Sequence, residues 1–360
     1  MSVTSMKRWA AVVLTAATGL AGLAGLQNAW GGKPAPPPPP PRVISYLHGK
    51  NTTGVVDAHV MDVNGGSSLT LTGDLSSSSY LPFPPRWSPN GQRLLFSSAA
   101  SAPDSGTVLL SVAADGTGLQ VLLTSAQAQA FVLSNSSQHI AADDHFGASD
   151  WSPDGQWVVF SLGVTYQSHV TKDRLFAVRI ADRFMVQITD DDPLIDSHGH
   201  EGPRWSESLN MIAYVSFDGG APAEEFELWV IAPDGTGRRQ LIAPYSNTVI
   251  SYPIANWCHS GNPQTGESSL AFGSLGEVLV IDINLSAQNP ITGVEAISIP
   301  NYYLYQPAWS PDDTQLVMRR DASGVQQIAT YDLSSGTSRV LQQVSTSRES
   351  LAGPDWRAAP

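Results

Sequence analysis

From residue 43 onward the chain is a succession of short apolar runs, many alternating with polar residues, separated by turns rich in Gly, Pro, Asp and Asn. Short runs with a two-residue period are strands, because successive strand side chains point to opposite faces. The runs come in sets, each opening on a tryptophan: Trp87, Trp151, Trp205, Trp257, Trp309 and Trp356. The intervals are 64, 54, 52, 52 and 47 residues, close to the period of propeller blades, so six repeats are expected.

The first turn of a set has a defined chemistry. It reads Ser88-Pro89-Asn90-Gly91, Ser152-Pro153-Asp154-Gly155 or Ser310-Pro311-Asp312-Asp313, with looser versions at Ser206-Glu207 and Cys258-His259. Pro presets φ at the first corner, Asp or Asn tolerates the second, and Gly takes the left-handed position. A second run follows, as in Trp157 to Phe160, and a third, as in Leu175 to Val178. Asp115-Gly116-Thr117-Gly118 and Asp234-Gly235-Thr236-Gly237 then lead to the fourth. Each supplies one carboxylate where calcium needs several, so both read as hairpin turns.

The two ends complement one another. Val43 to Tyr46, Val55 to Val63 and Ser68 to Thr72 are three strands without a leading Trp, while Asp355-Trp356 leads a set that has no followers. Together they make one blade and remove the exposed edge of an open stack. The expected fold is all-β: a six-bladed β-propeller of four-stranded antiparallel blades over residues 43–360, closed by terminal strands that share a blade. Ser125 to Ile140 is expected to be an inserted polar loop, and Ala221 to Glu227 an acidic one.

Residues 1–30 read differently. Lys7 and Arg8 precede an uncharged run from Trp9 to Leu26, the pattern of an export signal, with small residues allowing cleavage after Ala24 or Ala29. The run is also just long enough to be an uncleaved membrane anchor. Residues 31–42 form a proline-rich linker whose Pro36 to Pro41 can only extend as a polyproline spacer. A periplasmic or secreted location is expected, with membrane contact only through an uncleaved N-terminal segment.

Composition narrows the partners. With 42% hydrophobic and 14% charged residues the chain can bury a core. Its net charge of −13 argues against nucleic acid or an anionic membrane surface and leaves a basic or neutral partner. A single cysteine, Cys258, can form neither an intrachain disulfide nor a thiolate metal site alone.

The Trp-Ser-Pro-Asp-Gly repeats resemble the TolB-type family of propellers, also called PD40 or WD40-like repeats, across nearly all of residues 43–360. The resemblance implies the propeller fold and, for function, a protein or cell-envelope ligand bound by a monomer at its channel face. In authentic TolB an α/β domain precedes the propeller; here a signal and a spacer precede Val43, which leaves a translocation role without support. Peptidases with this propeller need a hydrolase domain and a Gly-x-Ser-x-Gly elbow, and neither is present.

Polar residues that precede each Trp converge at one end of a propeller channel. They are Asp143, Asp144 and His145 before Trp151; His198, His200 and Glu201 before Trp205; and Tyr303 and Tyr305 before Trp309. No complete catalytic set is among them, so a ligand-binding mouth without a cofactor is expected. The alternative is a metal-assisted carbohydrate enzyme resembling oligogalacturonate lyase, with His145, His200 and Glu201 as ligands to manganese or zinc. Six blades, and Lys50 and Lys172 as the only lysines after the linker, weigh against an acidic polysaccharide. A second pattern lies immediately before each Trp, where Asp355, Arg86, Asp150 and Arg204 alternate in sign before Asn256 and Ala308. Equivalent inner-strand positions are adjacent, so an ion-pair belt through four blades is expected, with a more open side at Asn256 and Ala308.

Overall fold

The computed structural model describes residues 42–50, 53, 55–72, 83–99, 106–189, 198–217, 226–243 and 254–357. The expected signal, the proline run and most of the acidic loop at 221–227 lie outside them. Residues Pro41–Pro360 form one compact unit.

Six four-stranded antiparallel sheets make up the ring. Blade 1 contains β1 (Arg42–Lys50), β2 (Val55–Asp62) and β3 (Ser68–Thr70); blade 2 contains β4 (Arg86–Trp87), β5 (Arg93–Ala99), β6 (Thr107–Ala113) and β7 (Gln120–Thr124). After helix α1 (Ser125–Asn135), blade 3 runs through β8 (His139–Trp151), β9 (Trp157–Tyr166), β10 (Thr171–Arg179) and β11 (Met185–Gln187). Blade 4 has β12 (Gly199–Trp205), β13 (Ile212–Phe217), β14 (Glu227–Ile231) and β15 (Arg239–Ile242). Blade 5 has β16 (Ala255–Trp257), β17 (Glu267–Ser274), β18 (Glu277–Asn284) and β19 (Ile291–Ile297). Blade 6 has β20 (Tyr303–Trp309), β21 (Gln315–Ala322), β22 (Val325–Asp332) and β23 (Ser338–Ser345). The last strand, β24 (Glu349–Trp356), pairs antiparallel with β1, placing Ile44 opposite Trp356 and Ser45 opposite Asp355. This is the expected closure.

Each motif residue has a local task. The serine hydroxyl accepts the backbone N–H that opens the second strand, at 3.0 Å for Ser88 and Arg93 and 2.9 Å for Ser152 and Trp157. It donates to the Asn or Asp two residues on, at 2.8 Å to Asn90 and 2.6 Å to Asp154. Gly91 and Gly155 both have φ of 67°, the left-handed conformation the turn requires. Where Asp313 replaces that glycine, it too is left-handed, at φ 56°. Its carboxylate accepts the backbone N–H groups of His259 and Ser260, each at 2.8 Å, latching blade 6 to blade 5. Burial opposes that charge, yet the His259 ring, 3.2 Å away, together with these backbone bonds holds the Asp313 carboxyl down at about 2.

Both faces of a blade pack on neighbours, which is why second-strand runs such as Val158 to Phe160 are wholly apolar. Each seam between blades holds its own apolar cluster. All six repeat tryptophans are buried. Several reach back one blade: Trp151 Nε1 donates to Arg86 O at 3.2 Å, Trp257 to Arg204 O at 2.9 Å and Trp309 to Asn256 O at 3.0 Å.

Two expectations are corrected. Ser125 to Ile140 is not a loop but α1 followed by the start of β8. Thr124 and Gln127 form a capping box, with Gln127 N to Thr124 Oγ1 at 3.2 Å and Thr124 N to Gln127 Oε1 at 3.1 Å. The alanine-rich body that follows favours helix, and Ala128 and Val132, one turn apart, bury in the seam between blades 2 and 3. The second correction concerns the belt. Arg86 donates to Asp355 at 2.8 Å and to Asp150 at 3.2 Å, as expected. But Asn256 extends the chain rather than opening it: it accepts from Arg204 Nε at 3.1 Å and donates to Pro307 O at 2.6 Å.

Candidate functional site

Each inner strand runs from the mouth of the channel to a base, where it ends in its Trp. A register shift interrupts β12, β20 and β24 just before that Trp, with Gly202, Gln306 and Gly353 at φ 64°, 52° and 55°. Such bulges re-aim one half of a strand relative to the other. The base half therefore carries the belt while the mouth half presents different side chains to solvent.

At the base the belt and the tryptophans enclose a cavity of about 40 Å³. That admits a few waters and no sugar ring. The candidate residues read from the sequence lie at the mouth.

There the seam between blades 3 and 4 gathers three carboxylates. Asp143 lies across Gly163, where a Cβ would collide with its carboxylate. Gly163 pairs with Asp173 in the β9–β10 ladder, so this glycine lets two acids approach. Asp173 meets Glu201 from β12 of the next blade. Burial raises the Asp173 carboxyl, with the Asp143 charge adding to it. Burial also lifts Glu201, to about 7, helped by the Asp173 charge and by the hydrogen bond its O–H donates to Asp173. The pair shares a proton, with the buried Arg174 guanidinium beside it, donating to His198 O at 2.5 Å and to Tyr166 Oη at 3.0 Å.

The other expected mouth residues take varied places. Asp144 and His145 contact each other at the surface, His145 Nδ1 lying 2.5 Å from Asp144 Oδ1. His200 is fully buried, edge-on to the Tyr214 ring at 5.1 Å, with Nε2 3.4 Å from Arg238. The two histidines stand six and five residues ahead of their tryptophans, and a one-residue offset turns a strand side chain to the opposite face. Among the described residues no three His, Cys, Asp or Glu side chains converge as metal ligands, and His145, His200 and Glu201 are not brought together. Tyr303 is 62% exposed and leans over Gly276. Tyr305 lies under the Arg319 guanidinium, 5.3 Å from its ring centre, and Arg319 is paired with Asp321 at 2.8 Å. Asp173, the partner that perturbs Glu201, was not among the expected residues.

The shared proton has a consequence for stability. The folded chain keeps Glu201 protonated up to about 7, whereas the unfolded chain releases that proton near 4.5. Between those values the folded state binds more protons, so stability falls as pH rises, by about 3 kcal/mol. Melting temperatures from pH 4.5 to 8 should show the fall, and Glu201→Gln should flatten it and be the more stable protein at pH 8. Parallel curves for the two proteins would show that Glu201 does not carry the effect.

No protein-family model and no curated protein matches the chain. Solved structures do. The structure is similar to that of TolB from Acinetobacter baumannii, with a TM-score of 0.59 at 14% identity, covering 88% of this chain and 66% of that one. The fold is a TolB-type β-propeller. A putative TolB from Agrobacterium tumefaciens aligns with a TM-score of 0.50 at 13% identity, covering 84% of this chain and 90% of that one. Hydrazine synthase from Kuenenia stuttgartiensis reaches 0.59 at 12% identity over 88% of this chain and 46% of its own. At such identities the likeness is one of fold, and so many different proteins carry the TolB-type propeller that function has to be argued from the site.

Proposed function

We propose that this chain is an exported, non-catalytic TolB-type propeller that binds a basic or neutral protein or cell-envelope component at the mouth of its channel. The observation that carries this reading is the mouth itself: three carboxylates on the seam between blades 3 and 4, with the exposed His145 on blade 3 and the exposed Tyr303 and partly covered Tyr305 on blade 6. Carboxylates on one side of the mouth and exposed aromatics on another suit a partner that presents both cationic and apolar groups. No nucleophile paired with a base accompanies them among the described residues. Export rests on the pattern of residues 1–30, and cell fractionation with the mass of the mature protein checks it.

A photo-crosslinking residue at position 303 tests the binding. It should capture one envelope component in intact cells, and the same residue at position 340, on outer strand β23, should not. Equal capture from both positions would overturn the reading. So would stoichiometric manganese or zinc in the purified protein that is lost in His145→Ala, since that would establish the metal-assisted enzyme instead.

A further inference from the structure

A second concave surface lies far from the mouth. At the base, the seam between blades 3 and 4 opens into a groove of about 770 Å³, the size of many ligand and peptide sites. Its floor is apolar, built from Trp157, Trp205 and Pro153 with Pro233 opposite. Its rim carries Asp154 and Asp234, both exposed, and no Lys or Arg is among the residues that line it. Each carboxylate spends Oδ1 on its own turn, Asp154 accepting Gln156 N at 2.9 Å and Asp234 accepting Thr236 N at 3.0 Å. Their charge is left at the rim.

The apolar surface continues past the groove. Phe184 is 53% exposed and packed on one side: Arg179 lies 5.2 Å from its ring centre and 5.4 Å from that of Trp157, and Asp182 pairs with Arg179 at 2.7 and 2.9 Å. Asp182 also accepts Phe184 N, at 3.2 Å. Arg183 then donates to Val121 O at 2.9 Å, joining Phe184 to the exposed Val121 of blade 2. An exposed aromatic ring that is already packed on one side loses less entropy on binding, which is the property of an interface anchor.

The geometry points to this groove and the Phe184 ridge as a docking site for a partner peptide that sets an apolar anchor beside a basic side chain. Charge selects among occupants. A second copy of this chain, at −13, would be repelled, as would an anionic lipid surface. A pyranose needs an open ring face, but Arg179 occupies one face of Trp157 and Trp205 is buried. A lysine or arginine near Asp154 and Asp234, with a leucine-sized neighbour on the floor, satisfies both the rim and the floor.

The test uses the intact chain and two fluorescent nonapeptides, one of repeating Arg-Leu-Pro and one of repeating Glu-Leu-Pro. The basic peptide should bind and weaken as salt is raised, and the acidic one should not bind at about 1 mM, the scale of the weakest specific association. The double variant Asp154→Asn with Asp234→Asn keeps both turn bonds and should weaken binding about fivefold or more, as should Phe184→Ser. Each variant should keep the parent melting temperature. Equal binding of both peptides, binding unchanged in the variants, or no binding of either peptide would overturn the assignment. Tyr303→Ala serves as the mouth control: loss of peptide binding there, with the groove variants unaffected, would place the basic ligand at the mouth and leave this groove without a role.

Discussion

Removal of residues 352–360 is expected to leave no soluble, monomeric propeller. The excised segment holds Trp356, buried in the seam between blades 6 and 1, and loss of a buried Trp side chain alone costs about 3–5 kcal/mol. It also holds the hydrogen bonds that close the ring. Asp355 accepts Arg86 Nη1 at 2.8 Å and Trp87 N at 2.9 Å; Gly353 N donates to Gln306 Oε1 at 2.7 Å; Arg357 N donates to Val43 O at 3.1 Å. With each worth about 1 kcal/mol net, the total matches the whole stability of an ordinary domain. β1 would then present an unpaired, apolar edge, which templates aggregation. Size-exclusion chromatography and thermal unfolding decide it: a truncated monomer with the parent melting temperature would show that ring closure is not needed. Because Arg357 N bonds to Val43 O, joining Arg357 to Val43 by a short turn and opening the chain between blades 3 and 4 should preserve the fold. That permutant separates loss of the strand from loss of chain length.

The blade count was legible because the side chains of the Ser-Pro-Asp-Gly turn act within their own hairpin, Asp313 at a glycine position being the exception. Ser152, Pro153, Asp154 and Gly155 bond or bend only their immediate neighbours, so their spacing in the chain is their spacing in the structure. The belt was legible for a related reason, since residues one before each Trp occupy equivalent inner-strand positions. Its extension through Asn256 was missed because an amide carries no sign to alternate, although it can accept from Arg204 and donate to Pro307 at once. α1 was missed through its weak apolar stripe, with two buried hydrophobic residues in 11, even though Thr124 and Gln127 carry the spacing of a capping box.

The mouth was harder to read. Asp143 and Glu201 stood out by their place before a Trp, but Asp173 sits in the third strand of its blade and reaches Glu201 only across a seam. Nothing in local spacing reports a contact between different blades. Gly163 was the available sign, a glycine inside an apolar run, which often marks the close approach of another group. The His145 and His200 pairing failed on parity, because counting back from Trp ignores the bulges that shift strand faces between blades.

Asp150→Ala should be among the most destabilising single substitutions in the ring, at about 3 kcal/mol, the cost of breaking a buried ion pair from one side. Asp150 is 5% exposed and serves two neighbours, accepting Arg86 Nε at 3.2 Å with Oδ1 and Trp205 N at 2.9 Å with Oδ2. Burial opposes the charge on Arg86, yet Asp355 and then Asp150 more than offset it and hold the guanidinium above its ordinary value. Alanine would leave Arg86 with Asp355 alone and the Trp205 amide without an acceptor in a buried seam. Asp150→Asn keeps an acceptor and removes the charge, so it should lose about half as much. Combining Asp150→Ala with Arg86→Met and Asp355→Asn should recover part of the loss, because it removes all three ions of the cluster and leaves no charge uncompensated. Urea unfolding measures all four proteins. A loss below about 0.5 kcal/mol in Asp150→Ala, the scale of ordinary surface changes, would mean that water already satisfies the belt. Full loss without recovery in the triple variant would mean that the bond to Trp205 matters more than the charge.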